Sequence, residues 1–320
     1  MSWTPSGIPD QRGRVAVVTG GNGGLGLEVL RGLARKGALL VMAARDEAKA
    51  DGAARQLRAE VPTARLEVRA LDLADLRTVH ACADGIAADH GRVDLLVNNA
   101  GVMGTPRRTT VDGFELQLGV NHLGHFVLTG RLLPALLAAP AGRVVTVTSF
   151  ARFAGRPVDP ADPHLQGRYD PWRAYGQSKL ANLQFALELH RRLQLAGGEV
   201  CSLAADPGLS HTDLQARSVR ESGGGRSQRF WWAASSVVGM PPARGALPLL
   251  RAATDPHARS GQLYAPRYGS FGPPVRRPTI APGISTAAGR ALWELSERET
   301  GERVDVGELV ARAAHRRGTA

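Results

Sequence analysis

Short apolar runs rich in branched side chains recur along the chain, separated by longer stretches of mixed polarity. They are Val15 to Val18, Leu39 to Met42, Leu66 to Ala70, Leu95 to Val97, Val144 to Val147 and Val200 to Ala205. Most lack the polar alternation of a half-exposed strand, so they predict strands covered on both faces. Between them, Leu25, Val29 and Leu33 mark one helical stripe, and Leu180, Leu183 and Leu187 mark another. Alternating strands and helices of this kind predict an α/β fold with a doubly wound parallel sheet. Farther on, residues 242–255 predict a helix, residues 262–264 a late strand and residues 285–300 a terminal helix. No repeat or linker divides the chain, so a core of about 12–300 is expected to be a single domain.

Two segments interrupt the regularity. Residues 150–172, rich in Pro, Gly and Asp, predict a long loop, and about 209–240 a second one that carries the apolar cluster Phe230, Trp231 and Trp232. Long loops within a compact domain are commonly functional. From about 312 to 320 a mobile tail is expected.

Composition narrows the possibilities only slightly. No apolar run among the 320 residues approaches the roughly 18 that a transmembrane span requires, and the first residues lack the layout of a secretory signal. Two cysteines, Cys82 and Cys201, are too few for a disulfide framework or a cysteine-based metal site. A cytoplasmic protein is the expectation. The formal charge of +11 is spread along the chain without an aromatic-interleaved basic patch, which argues against a nucleic-acid partner.

Chemistry enters at the first strand, which runs into Thr19-Gly20-Gly21-Asn22-Gly23-Gly24-Leu25-Gly26 and then a helix. Glycines in that position allow backbone amides to approach a pyrophosphate at the helix N-terminus. The register is ambiguous: Gly20, Gly24 and Gly26 satisfy TGxxxGxG, whereas Gly20, Gly23 and Gly26 satisfy GxxGxxG. Later motifs choose the first pattern. Asn98-Asn99-Ala100-Gly101 follows the fourth strand, Asn121 lies in the next helix, Ser149 ends the fifth strand, and Tyr175 and Lys179 share a helix face one turn apart. Tyr169, followed four residues later by Arg173, is a poorer match, because a guanidinium serves this relay less well than an ammonium.

In this ordered set the chain resembles the one-domain short-chain dehydrogenase/reductases over roughly residues 12–300, and most of all the branch of retinol dehydrogenases and WW-domain oxidoreductases. Ala43-Ala44-Arg45-Asp46 at the end of strand two and the Tyr175-to-Asn182 run carry that closer likeness, as does the 26-residue interval from Ser149 to Tyr175. The resemblance implies a Rossmann fold and hydride transfer between nicotinamide and a small-molecule carbonyl or alcohol, in an enzyme whose relatives are often oligomers. It implies that Ser149 holds the substrate oxygen and that Tyr175 is the general acid-base. Lys179 would stabilise tyrosinate and hold the ribose, and Asn121 would support a water relay. Cofactor contacts are expected from Gly20, Asn22, Gly24, Leu25, Gly26, Asp72, Leu73, Asn99, Ala100 and Gly101, and at the nicotinamide end from Pro207, Gly208 and Thr212. Asp72 is equally readable as a helix cap. The chain departs from the branch in Thr148, where a second serine is usual, and in bulky Phe150.

Cofactor choice is read from strand two. An acidic residue there accepts the ribose hydroxyl of NAD, but this chain has Ala44, with Arg45 placed to pair a 2′-phosphate, so NADP(H) is expected. Asp46 opens an alternative, since it can bind Arg45 or cap the next helix. Phe230 to Trp232 suggest a bulky, apolar substrate. Two other functions share parts of the pattern: a catalytically silent NADP(H)-binding sensor or scaffold, and an extended-type sugar-nucleotide epimerase or dehydratase. Intact Ser149, Tyr175 and Lys179 weigh against the first, and the complete Asn98-to-Gly101 run against the second.

Overall fold

The computed structural model describes residues 3–210 and 240–318. Thr212 and the Phe230–Trp232 cluster lie outside the described residues. The strands are β1 (Val15–Thr19), β2 (Leu39–Ala44), β3 (Arg65–Ala70), β4 (Leu95–Asn98), β5 (Arg143–Val147), β6 (Cys201–Ala205), β7 (Leu263–Pro266) and β8 (Pro274–Arg277). They form one sheet in the order β3-β2-β1-β4-β5-β6-β7-β8. Pairing is parallel from β3 through β7, and β8 turns back antiparallel on β7, an addition that the polar Pro274–Arg277 stretch does not announce.

Helices cover both faces because neighbouring strand residues point opposite ways. Ala16, Val18, Leu40 and Met42 pack under α1 (Gly24–Ala34) and α2 (Glu47–Glu60). Val17 and Val41 belong to the other layer, with α3 (Leu76–His90), α5 (Gly124–Leu137) and α6 (Pro171–Leu195). A short α4 (Leu116–Leu118) leads through a π-helical turn, Gly119–Leu123, directly into α5. After residue 240 come α7 (Pro242–Gly245) and α8 (Leu247–Thr254) on the first face.

The chain ends in α9 (Thr286–Thr300) and α10 (Val306–Gly318), which lie across α5 and α6. Trp293 is buried against Phe126, edge-on at 5.1 Å, and stacks on Phe185 at 5.9 Å. The segment from about residue 312, where a mobile tail is expected, continues α10 as helix to Gly318. Val306 and Val310 are buried and Ala313 packs on the core, so an apolar stripe at helical spacing secures this helix. The loop of residues 150–172 is likewise shorter than expected, opening with a 3-10 turn, Phe150–Phe153, and giving way to α6 at Pro171. No helix among the described residues is long and apolar enough to cross a membrane.

Candidate active site

The sheet order reverses between β1 and β4, and at such a switch point the loops leave the strand ends in opposite directions and open a crevice. A cleft of about 520 Å³ occupies it. The β1–α1 turn forms one wall. Gly20 has φ of 66°, and a Cβ there would sit 3.0 Å from the Ala100 Cα, so the turn needs glycine both for conformation and for closeness. Gly20, Asn22, Gly24 and Leu25 line the cleft, whereas Gly26 is buried behind it with its Cα against the Gly20 carbonyl.

Thr19 joins this turn to the Asn98–Gly101 run. Its hydroxyl accepts from the Asn99 and Ala100 amides, each at 2.9 Å, and contacts His125 Nε2 at 2.8 Å. The Asn99 side chain donates to the Thr19 carbonyl at 2.8 Å. Asn99, Ala100 and Gly101 are thereby presented at the cleft. His125 sits one turn beyond Asn121, and its Nδ1 donates to the Asn121 carbonyl at 3.1 Å, which leaves Nε2 to accept from Thr19. Sequence reading met Thr19 only as the first residue of the glycine motif and did not identify His125.

Asn121 does not line the cleft. Its side chain is fully buried, accepting from the Val102 amide at 2.8 Å and donating to the Val102 carbonyl and the Ser178 hydroxyl. The π-helical turn that contains it breaks the regular helix hydrogen bonding and lets this clamp reach the loop after β4.

Ser149, Tyr175 and Lys179 converge in the cleft. Ser149 leaves β5, and its Oγ accepts from the Ala151 amide at 3.2 Å. Asp170 caps α6 by accepting from the Trp172 and Arg173 amides, and Pro171 supplies the first helical φ. This fixes the helix start so that Tyr175 and Lys179 lie one turn apart facing β5. The Lys179 ammonium stands 5.8 Å from the centre of the Tyr175 ring and donates to the Val147 carbonyl at 3.3 Å. Burial pushes the Tyr175 phenol up to about 12; the hydrogen bond with Ser149 works against this, and the Asp206 charge adds to it. Burial brings Lys179 down to about 8, opposed by Asp206. Tyr169 is elsewhere, bonded through its hydroxyl to Glu115 at 2.9 Å and receiving Gln117 Nε2 at 2.9 Å.

The remaining expected positions are distributed along the same crevice. Arg45 lies at the rim beside Ala44, and Asp46 is spent as the cap of α2, accepting from the Lys49 amide at 2.9 Å. Arg45 instead approaches Asp72 at 3.9 Å. Asp72 lines the cleft with Leu73 and accepts from the Ala74 amide, while Asp75 caps α3. Pro207 and Gly208 close the opposite end.

The glycine turn, the Thr19 hub, the Ser149–Tyr175–Lys179 group and the Pro207–Gly208 turn are therefore one continuous crevice, as dinucleotide chemistry at a switch point demands. A family model described as short chain dehydrogenase matches residues 14–223. Mouse polyprenol dehydrogenase is 48% identical over 66% of this chain and 64% of its own length, and human retinol dehydrogenase 13 is 44% identical over 63% and 60%. The chain thus spans somewhat less than two thirds of the length of these two relatives. An uncharacterized protein of Mycobacterium paratuberculosis superposes with a TM-score of 0.78 at 40% identity, covering 95% of this chain and 99% of that one. A Beutenbergia cavernae protein described as an NAD(P)-dependent gluconate 5-dehydrogenase, with NADP bound at low occupancy, superposes with 0.63 at 27% identity over 80% and 96%. With its crevice, motif order and more than half its length matched, the chain belongs to the short-chain dehydrogenase family.

Proposed function

We propose that the protein is an NADP(H)-dependent oxidoreductase acting on a bulky, apolar carbonyl or alcohol, with Tyr175 as its general acid-base. The observation that carries this reading is the meeting of Ser149, Tyr175 and Lys179 in a cleft that begins at a glycine turn. The residues present fit the dinucleotide: the Gly20 approach leaves no room for a side chain, and Arg45 lines the cleft rim, where its guanidinium could pair with a 2′-phosphate. Asn22 and Gly24 would hold the pyrophosphate, Asp72 and Leu73 the adenine, and Lys179 the nicotinamide ribose. The Beutenbergia neighbour supports NADP, and the polyprenol and retinol relatives, named for long apolar alcohols, support an apolar substrate.

When bound, the nicotinamide supplies or takes the hydride. Ser149 donates its hydroxyl hydrogen to the substrate oxygen, and Tyr175 Oη delivers its proton to the same oxygen. A phenol pushed up to about 12 carries that proton at neutral pH, the state that carbonyl reduction requires. Lys179, as ammonium, offsets the negative charge that Tyr175 gains on giving the proton up.

Tyr175→Phe deletes the proton donor and keeps the ring. With NADPH and a panel of aldehydes and ketones, it should lower kcat by at least ~100-fold and leave NADPH affinity, read by fluorescence titration, within about 3-fold. Turnover equal to that of the unaltered protein would end the proposal.

A further inference from the structure

β5 and β6 lie side by side, and each delivers one wall of the reacting end: Ser149 beyond β5, Pro207 and Gly208 beyond β6. A buried ion pair ties the two ends together. Arg152, in the 3-10 turn after Ser149, donates from Nη1 to Asp206 Oδ2 at 2.6 Å and to the Ser149 carbonyl at 2.8 Å. The other Asp206 oxygen accepts from the Gly208 amide at 3.0 Å, and the Asp206 amide donates to the Tyr264 carbonyl. The two residues are only 5% and 3% exposed. Such a pair contributes little net stability, because desolvating both charges offsets their attraction. Its geometry instead fixes where Ser149 and the Pro207–Gly208 turn stand relative to each other.

The same carboxylate lies close to Lys179, for the ammonium bonds the Val147 carbonyl and Val147 pairs with Ala205, the residue before Asp206. Around that ammonium stand the Tyr175 ring on its own helix, the Val147 carbonyl at the end of β5 and Gly101 beyond β4, and its charge also reaches His125 on α5, whose imidazole burial lowers to a pKa of about 4 and keeps neutral. Beyond β6 is Asp206, whose charge favours protonated Lys179. We propose that Arg152 and Asp206 are positioning residues: the guanidinium locks Ser149 to the Pro207–Gly208 turn, and the carboxylate supplies a negative charge close to Lys179. This inference rests on the assignment of Ser149, Tyr175 and Lys179 as the reacting groups.

The chain has only three lysines, Lys36, Lys49 and Lys179, so carbon-labelled lysine gives three side-chain signals whose titration can be followed by NMR in the intact protein. Asp206→Asn should move the Lys179 midpoint down by at least about half a pH unit, since a unit charge nearby in a poorly solvated site is lost. It should also lower kcat by about 10-fold with little change in KM for NADPH, and draw the alkaline limb of the pH profile downward. The double variant Arg152→Met with Asp206→Leu removes both charges and keeps the volume, so it reads the same midpoint if the single variant fails to fold. Arg152→Lys, which keeps a cation beside Asp206, should recover part of the turnover that Arg152→Met loses. Lys179 midpoints unchanged in both the Asp206→Asn and the double variant overturn the inference. Absence of any carbonyl turnover in the unaltered protein would instead sink the proposed activity, and the Lys179 midpoints would still decide whether Asp206 acts on it.

Discussion

Arg45 shows how one residue divides between two partners. Its side chain is 60% exposed at the cleft rim and 3.9 Å from Asp72, a separation and exposure at which solvent screens most of the attraction. Little therefore competes with an incoming phosphate, whose oxygens offer a guanidinium charge-assisted, bidentate bonds. Hydrogen bonds to charged groups are worth about 1.5 to 3 kcal/mol, so Arg45→Ala should weaken NADPH by roughly 10- to 150-fold and scarcely alter NADH. Equal loss of both cofactors in kcat/KM would show that Arg45 does not read the phosphate. At this scale the sequence was informative where residues act at fixed local spacing, as Tyr175 and Lys179 do. It was silent where contact is made through space: Arg152 and Asp206 are 54 residues apart, Thr19 and His125 106, and no periodicity connects such pairs.

Among the elements, α1 is fastened to the β1 turn at Gly26. A Cβ on Gly26 would overlap the Gly20 carbonyl and press on the Asn99 amide, both parts of the cleft wall. Gly26→Ala should therefore cost about 1–3 kcal/mol and weaken NADPH binding. Gly52, inside α2, has only Arg55 near its Cβ position, so Gly52→Ala should stabilise by about 0.5–1 kcal/mol. Urea midpoints that move the same way in both variants would contradict this account. The buried strands were legible because β1, β2, β4 and β5 are nearly continuous apolar runs. β8 was not, since Pro274, Arg276 and Arg277 read as loop. The last helix escaped notice for a compositional reason: its stripe of Val306, Val310 and Ala313 is diluted by arginine and histidine.

On the scale of the whole molecule, two histidines in the interior couple stability to acidity. Burial lowers His122 to about 3 and His125 to about 4, so both are neutral in the folded state. The unfolded chain takes up protons below its ordinary histidine value, and the folded chain does not, so stability is full above that value and falls as pH drops. The expected loss is about 1.4 kcal/mol per histidine for each unit below about pH 6.5. Burial of His190 adds in the same direction. Urea unfolding at about pH 7 and about pH 5 tests this while most carboxylates stay ionised, and equal stabilities would refute it. The two margins of the sheet show a different kind of protection. An outermost strand offers a row of unpaired backbone groups on which another chain can template itself. Here β3 places Arg65, Glu67 and Arg69 on one margin, and β8 places Arg276 and Arg277 on the other. A foreign strand docking on either margin would have to strip water from fixed charges, so crowded copies of this protein are steered away from fibril-like stacking.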